Sequence, residues 1–206
     1  MSTIPKRCGA CAFRPRGGIR SGDRTEGSDA LAAKGAENER AARIGMADTK
    51  HHHHVRMIWT GSGGVGTTSY RSYGRDYALM ADGKATLKGS GDPQYRGDAA
   101  LWNPEELLLA SLSACHQLWY LHLCASAGVV VRAYEDRAES TMVVHPDGSG
   151  EFISVLLRPA VTIAVGSDRE RALALHADAA NMCFIARSVK FPVAHEPTIE
   201  FERAAP

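Results

Sequence analysis

The chain has 206 residues, 44% of them apolar, enough for one core or for one core shared between two copies, and short for two independent domains. Its 24 basic and 23 acidic residues leave a formal net charge of +1, which excludes a general electrostatic attraction to nucleic acid or to anionic membranes. The longest strongly apolar stretch, residues 107–131, is interrupted by His116, Gln117 and His122 and reads as a buried helix, not a membrane span.

Residues 1–45 are rich in Gly, Ala, Ser, Arg and Glu and offer only Ile4, Phe13, Ile19, Leu31 and Ile44 for burial. That is too little apolar surface to offset the entropy of ordering them, so the segment is expected to be disordered. Met46 follows directly and opens better-patterned sequence, which makes it a candidate start, with a single domain over 46–206. The arginine-bearing beginning has no apolar h-region, so the expected compartment is the cytoplasm, and the acidic residues Asp23, Glu26, Asp29, Glu37 and Glu39 weaken an organellar transit reading. Five cysteines in such a chain point to redox chemistry or plain burial rather than a disulfide framework. Cys8-x-x-Cys11 is half a zinc site and is assigned no function.

His51 to His54 alternate between faces on an extended chain and do not converge on a metal. From Val55 to about Leu87 the pattern is that of a β-meander: Val55 to Trp59, then Ser69 to Met80, then a turn at Asp82-Gly83. Between the first two runs, Gly61-Ser62-Gly63-Gly64-Val65-Gly66 satisfies a G-x-G-x-x-G pattern. A dinucleotide or phosphate loop has to open a helix, whereas Thr67 to Met80 alternates like a strand, so this is read as a flexible hairpin loop.

After a polar loop over 89–98, Asn103-Pro104-Glu105-Glu106 carries three helix-start signals. These are an Asn N-cap, Pro at the first helical position, and acidic residues in the positive first turn, with Glu106 placed to close a capping box. The helix is expected to run to about Ala127 and stop at Gly128. Its apolar residues cover most of its circumference, so nearly all-round burial is expected, which in a chain this small asks for a partner subunit. Strands follow at 129–132, 140–144 and 152–165 with an interruption at Pro159. Ser167 or Asp168 then caps a second helix to about Asn181, a short helical turn follows Cys183, and 192–201 reads as a last strand.

Cys115, His116, His122 and Cys124 share the first helix, but Cys115 and Cys124 are separated by about 13 to 14 Å along the axis and the histidines fall at unhelpful angles, so no single-chain metal site is expected. Cys124 is read as a small buried hydrophobe, and His116 and His176 as residues that either support the reactive groups from behind or pack, with packing preferred. Cys115 lies mid-helix among apolar residues, where burial raises a thiol's pKa, so reactivity requires a nearby cation.

Asn103-Pro104-Glu105-Glu106-Leu107-Leu108, then Ser113-Ala114-Cys115-His116, then Cys183-Phe184-Ile185-Ala186 and Ser188 resemble the OsmC-like and organic hydroperoxide resistance family over roughly 51–203. The resemblance implies an α+β fold with an antiparallel sheet and long central helices, an intertwined homodimer, and thiol peroxidase sites at its interface. It implies Cys115 as the peroxidatic cysteine, Cys183 as the resolving one, and Glu105 with Arg96 as the activating pair; Arg71 and Arg75 are rival cations. It further implies an organic hydroperoxide as substrate, favoured by Trp119 and Phe184, an external dithiol as reductant, and neither metal nor organic cofactor. Better-known members carry proline after the second cysteine, where this chain has Phe184, as in a less characterised branch. Glu105 and Cys115 stand about 15 Å apart along one helix and cannot meet within a chain. Two such helices packed antiparallel about an axis near Ala110 bring Glu105 of one copy beside Cys115 of the other. A non-enzymatic small-molecule binder and a thiol redox sensor are the alternative functions on the same fold.

Overall fold

Helix α1, Pro104–Ser126, begins at a closed capping box: the Asn103 side chain accepts from the Glu106 N–H (2.7 Å), and the Glu106 carboxylate accepts from the Asn103 N–H (3.1 Å). It ends at Ala127, after which Gly128 takes φ +74°, the left-handed conformation that a side chain disfavours. The computed structural model describes residues 49–203. The expectations for 1–45, including the Cys8 and Cys11 motif and the start at Met46, lie outside the described residues. From His54 onward the chain forms a compact unit of its own.

Three antiparallel strands precede α1: β1 (Arg56–Trp59), β2 (Tyr77–Met80) and β3 (Leu87–Gly89), in the order β1-β2-β3. The expected long strand over 69–80 is a correction, because only its last four residues pair. Residues 61–76 form turns instead, closed where the Gly74 N–H donates to the Gly61 carbonyl at 2.7 Å and the Trp59 indole to the Gly74 carbonyl at 2.9 Å. A Cβ on Gly61 would lie 2.3 Å from that Gly74 oxygen, so the glycine is what lets the two backbones meet. No helix opens after the glycine-rich run, in keeping with its reading as a loop.

After α1 the chain builds β4 (Val131–Asp136), β5 (Glu139–Val144), β6 (Gly150–Leu157) and β7 (Pro159–Ile163). Helix α2 (Arg169–Met182) follows, capped by the Asp168 side chain, and then β8 (Val193–His195) and β9 (Thr198–Phe201). These strands form two sheets, β4-β7-β9 and β5-β6-β8. Each of three chain segments supplies one strand to each sheet, and each changes sheet after a short break. The run expected at 152–165 therefore divides at Arg158, and the last expected strand divides at Glu196-Pro197. Proline opens β7 because it has no N–H to give the ladder. The final strands pair in parallel, β8 with β6 and β9 with β7, so the sheets are mixed rather than purely antiparallel.

Asp136 and Arg158 hold the level of the breaks. One Asp136 carboxylate oxygen accepts the Arg158 N–H at 2.7 Å, and the other accepts the Ser113 hydroxyl of α1 at 2.5 Å. The Arg158 guanidinium pairs with Glu139 and, at 3.5 Å, with Glu196, one residue from each flanking segment. The two helices pack through His116, Tyr120 and Cys124 on α1 and Ala172, Leu175, His176 and Ala179 on α2. Both sets recur every three to four residues, and the alanines allow a close approach. Nearly all-round burial of α1 is not met within one chain: Glu106, Ala110, Ala114, Leu118 and His122 are exposed, Leu118 by 66%.

Candidate functional site: a cysteine pair beside a histidine cluster

Cys115 projects from the middle of α1 and is half-buried, whereas Cys183 caps the C-terminus of α2 and is only 1% exposed. The packing of α1 against α2 brings the two thiols near enough for Cys115 to act on the Cys183 thiol. Both are free thiols. Burial above all, then the hydrogen bond that the Cys183 thiol donates to Cys115, pushes it up to about 11, against the pull of the Ala186 N–H, which donates to its sulfur at 3.4 Å. The C-terminal end of a helix, negative in its dipole, works in the same direction. Cys124, one turn beyond Tyr120 on the same face of α1, is buried in the α1–α2 core, and burial raises its thiol too.

The other two implied site residues lie apart from this pair. Glu105 lines a separate hollow with Asp92, Gln94, Tyr95, Met142 and Val144, and one of its carboxylate oxygens is buried with no hydrogen-bond partner. Arg96 is exposed, donates to the Tyr70 carbonyl at 3.2 Å and stacks over the Tyr70 ring. It has φ +70°, the one positive value at a non-glycine residue among those described. Of its rivals, Arg75 is engaged by the Tyr70 and Tyr73 carbonyls and both of their rings, and Arg71 is exposed. Among the described residues no ion pair joins Glu105 to an arginine, and Cys115 and Cys183 belong to one chain's site while Glu105 does not.

Three histidines gather next to the thiols. The sequence offered His116 and His176 as residues that either pack or support the site from behind, with packing preferred, and gave no reason to single out His195. His116 follows Cys115 on α1, His176 lies two turns before Cys183 on α2, and His195 ends β8. His116 Nε2 and His176 Nδ1 share a hydrogen bond at 3.0 Å, and the His195 ring lies 5.6 Å from that of His116 and 6.3 Å from that of His176. Tyr120 stacks on His176 at 3.8 Å. Burial drives His116 down to about 4 and His176 to about 3, with neighbouring imidazoles adding to the effect, so both rings are neutral at pH 7. A cavity of about 230 Å³ joins His116 and His195 to Cys183, with Asn181, Leu112 and Leu157 among its walls. Trp119 meets the exposed ring of Phe184, the residue after Cys183, edge-on at 5.5 Å. No group of three or more metal-ligating side chains is placed to hold a metal among the described residues.

A half-exposed thiol with a buried second thiol against it, carried by two helices packed on mixed sheets, defines a dithiol protein of the α+β class. Residues 97–198 match the model of the OsmC-like protein family, and the chain belongs to that family. An OsmC-like protein of unknown function from Vibrio cholerae is 26% identical, with a TM-score of 0.66 over 72% of this chain and all of that one. Two organic hydroperoxide resistance proteins share the fold at 18% identity. That from Legionella pneumophila has a TM-score of 0.52 over 73% of this chain and 99% of its own, and that from Elizabethkingia anophelis 0.53 over 75% and 100%. No curated protein matches the sequence.

Proposed function

We propose that this protein is a thiol peroxidase that reduces organic hydroperoxides, with hydrogen peroxide as a second substrate. The observation that carries the reading is the pairing of Cys115, partly exposed, with Cys183, buried beside it. The Cys115 thiolate attacks the distal peroxide oxygen, the O–O bond breaks, and the alkoxide leaves as an alcohol after taking up a proton. The sulfenic acid formed on Cys115 condenses with the Cys183 thiol to give a disulfide and water, and an external dithiol restores both thiols. The apolar pair of Trp119 and Phe184, the latter next to Cys183 in the chain, favours an organic hydroperoxide. Free thiols at all three described cysteines suit a reducing cytoplasm.

The working unit in this proposal is a homodimer. The uncovered face of α1, with the small residues Ala110 and Ala114 at its centre and a hollow of about 510 Å³ beside them, suits the antiparallel approach of a second α1. That approach carries Glu105 of one copy toward Cys115 of the other. The orphaned Glu105 oxygen is then supplied with a donor by Arg96, whose guanidinium supports the thiolate.

The test is steady-state consumption of cumene hydroperoxide and hydrogen peroxide with a dithiol reductant. Turnover is expected in the wild type and abolished in Cys115→Ser, while Cys183→Ser accumulates a Cys115 sulfenic acid that dimedone traps. Absence of turnover with either peroxide under several dithiols overturns the proposal in favour of a ligand-binding or redox-sensing role.

A further inference from the structure

The condensation of two thiol-derived groups has a difficulty at Cys183 that its surroundings pose and also answer. Burial and the negative end of α2 hold this sulfur in its thiol form, yet only a sulfur relieved of its proton attacks a sulfenic acid. A proton acceptor therefore has to stand in the same cavity. Two imidazoles do so, His116 and His195.

They are not equivalent. His116 is 2% exposed, and its Nε2 is committed to His176 Nδ1 at 3.0 Å, itself fully buried. His195 is half-buried at the end of β8, and among the described residues no hydrogen bond engages its ring. It can take a proton from the cavity and pass it to water, while the stacked His116–His176 pair fixes the wall against which it leans. The remaining groups around it are accounted for: Glu196, next in the chain, pairs with Arg158, and Asp136 acts on His116 while bound to Ser113 and the Arg158 N–H. Cys124, Tyr120 and Tyr134 lie deeper, along the α1 stripe and β4, and burial keeps each in its protonated form.

We infer that His195 is the proton acceptor for Cys183 in disulfide formation, with His116 and His176 as positioning residues that hold it over the shared cavity. The inference rests on reading Cys115 and Cys183 as the reacting pair. His195 takes the thiol proton as the Cys183 sulfur attacks the Cys115 sulfenic sulfur. The S–S bond forms, the S–O bond breaks with its electron pair passing to oxygen, and the hydroxide recovers the proton from the imidazolium and leaves as water.

The step can be isolated without any peroxide. In the full chain with Cys8 and Cys11 replaced by serine, Cys115 is converted to its mixed disulfide with nitrothiobenzoate at low pH. The attack of Cys183, which releases the coloured thiolate, is then followed by stopped flow against pH. Wild-type release is expected to be well developed at neutral pH, far below the value near 11 of the Cys183 thiol. In His195→Gln it is expected to be slower by about tenfold or more at neutral pH, to converge with wild type toward the thiol's own value near 11, and to recover on addition of free imidazole. Equal rates in variant and wild type across the range, a wild-type rate that rises only with the thiol limb, or a slow variant that imidazole does not rescue would each overturn the inference. A chain that shows His195-dependent release but consumes no hydroperoxide loses the peroxidase proposal and keeps this one.

Discussion

Replacing His176 with glutamine should flatten the pH dependence of folding stability in the mildly acidic range. In the folded chain His116 and His176 are held near 4 and 3, against an ordinary value of 6.5, chiefly because burial disfavours the imidazolium. Depressed folded-state values mean that the unfolded chain binds the protons first. The stability from keeping these rings neutral is therefore fully present above 6.5 and is lost as pH falls through the window from 6.5 toward 4 and 3. By linkage each ring loses about 2 kcal/mol by about pH 5, so the pair loses about 4 kcal/mol, a large share of the about 5–15 kcal/mol of a typical domain. Urea unfolding at about pH 8 and about pH 5, at one fixed protein concentration so that any association cancels, gives the drop for wild type and for His176→Gln. The variant should lose about 2 kcal/mol less over that interval, whatever its absolute stability. If the two drops coincide, His176 is not held neutral by its surroundings and the reasoning fails.

Two further outcomes test packing and assembly. Leu112 is fully buried against Val155 and Leu157, so Leu112→Ala should cost about 2–5 kcal/mol in urea unfolding, and a loss below about 1 kcal/mol would show that the site collapses around the deletion. Ala110→Arg on the exposed face of α1 should convert a dimer into a monomer in sedimentation velocity with little change in helix content. A wild-type chain that sediments as a monomer would remove the dimer from the proposed function.

Elements defined by local signals were legible in the sequence. The Asn103 box, the Asp168 cap and Gly128 act through neighbouring backbone groups, so four or five residues suffice to recognise them. The β4–β7 region was legible as strands but not as two sheets, because the break at Arg158 depends on Asp136, 22 residues away, and on Glu139 and Glu196. Tyr70 and Tyr73 are residues of high strand propensity, yet their rings and carbonyls serve to hold the Arg75 guanidinium, so their residue type misled. Cys115 and Cys183 were suggested by the motifs around them; their proximity comes from α1 lying along α2. The histidine cluster had no signal of its own, since His116, His176 and His195 sit on three elements that only the folded chain brings together.

The two thiols differ in how their backbones are held. Cys115 has more than a complete turn of helix on either side and moves only if α1 moves. Cys183 is the last residue tied to α2, through its N–H to the Ala179 carbonyl, with extended φ and ψ and a short 3-10 turn at Ala186–Ser188 beyond. Closing the proposed bond between them thus draws on the Cys183 side, where few backbone hydrogen bonds hold the chain, rather than on α1. Under the proposed function, oxidation and reduction become a movement of a helix tail against a stationary anvil, and amide exchange across 183–188 is where that movement would register first.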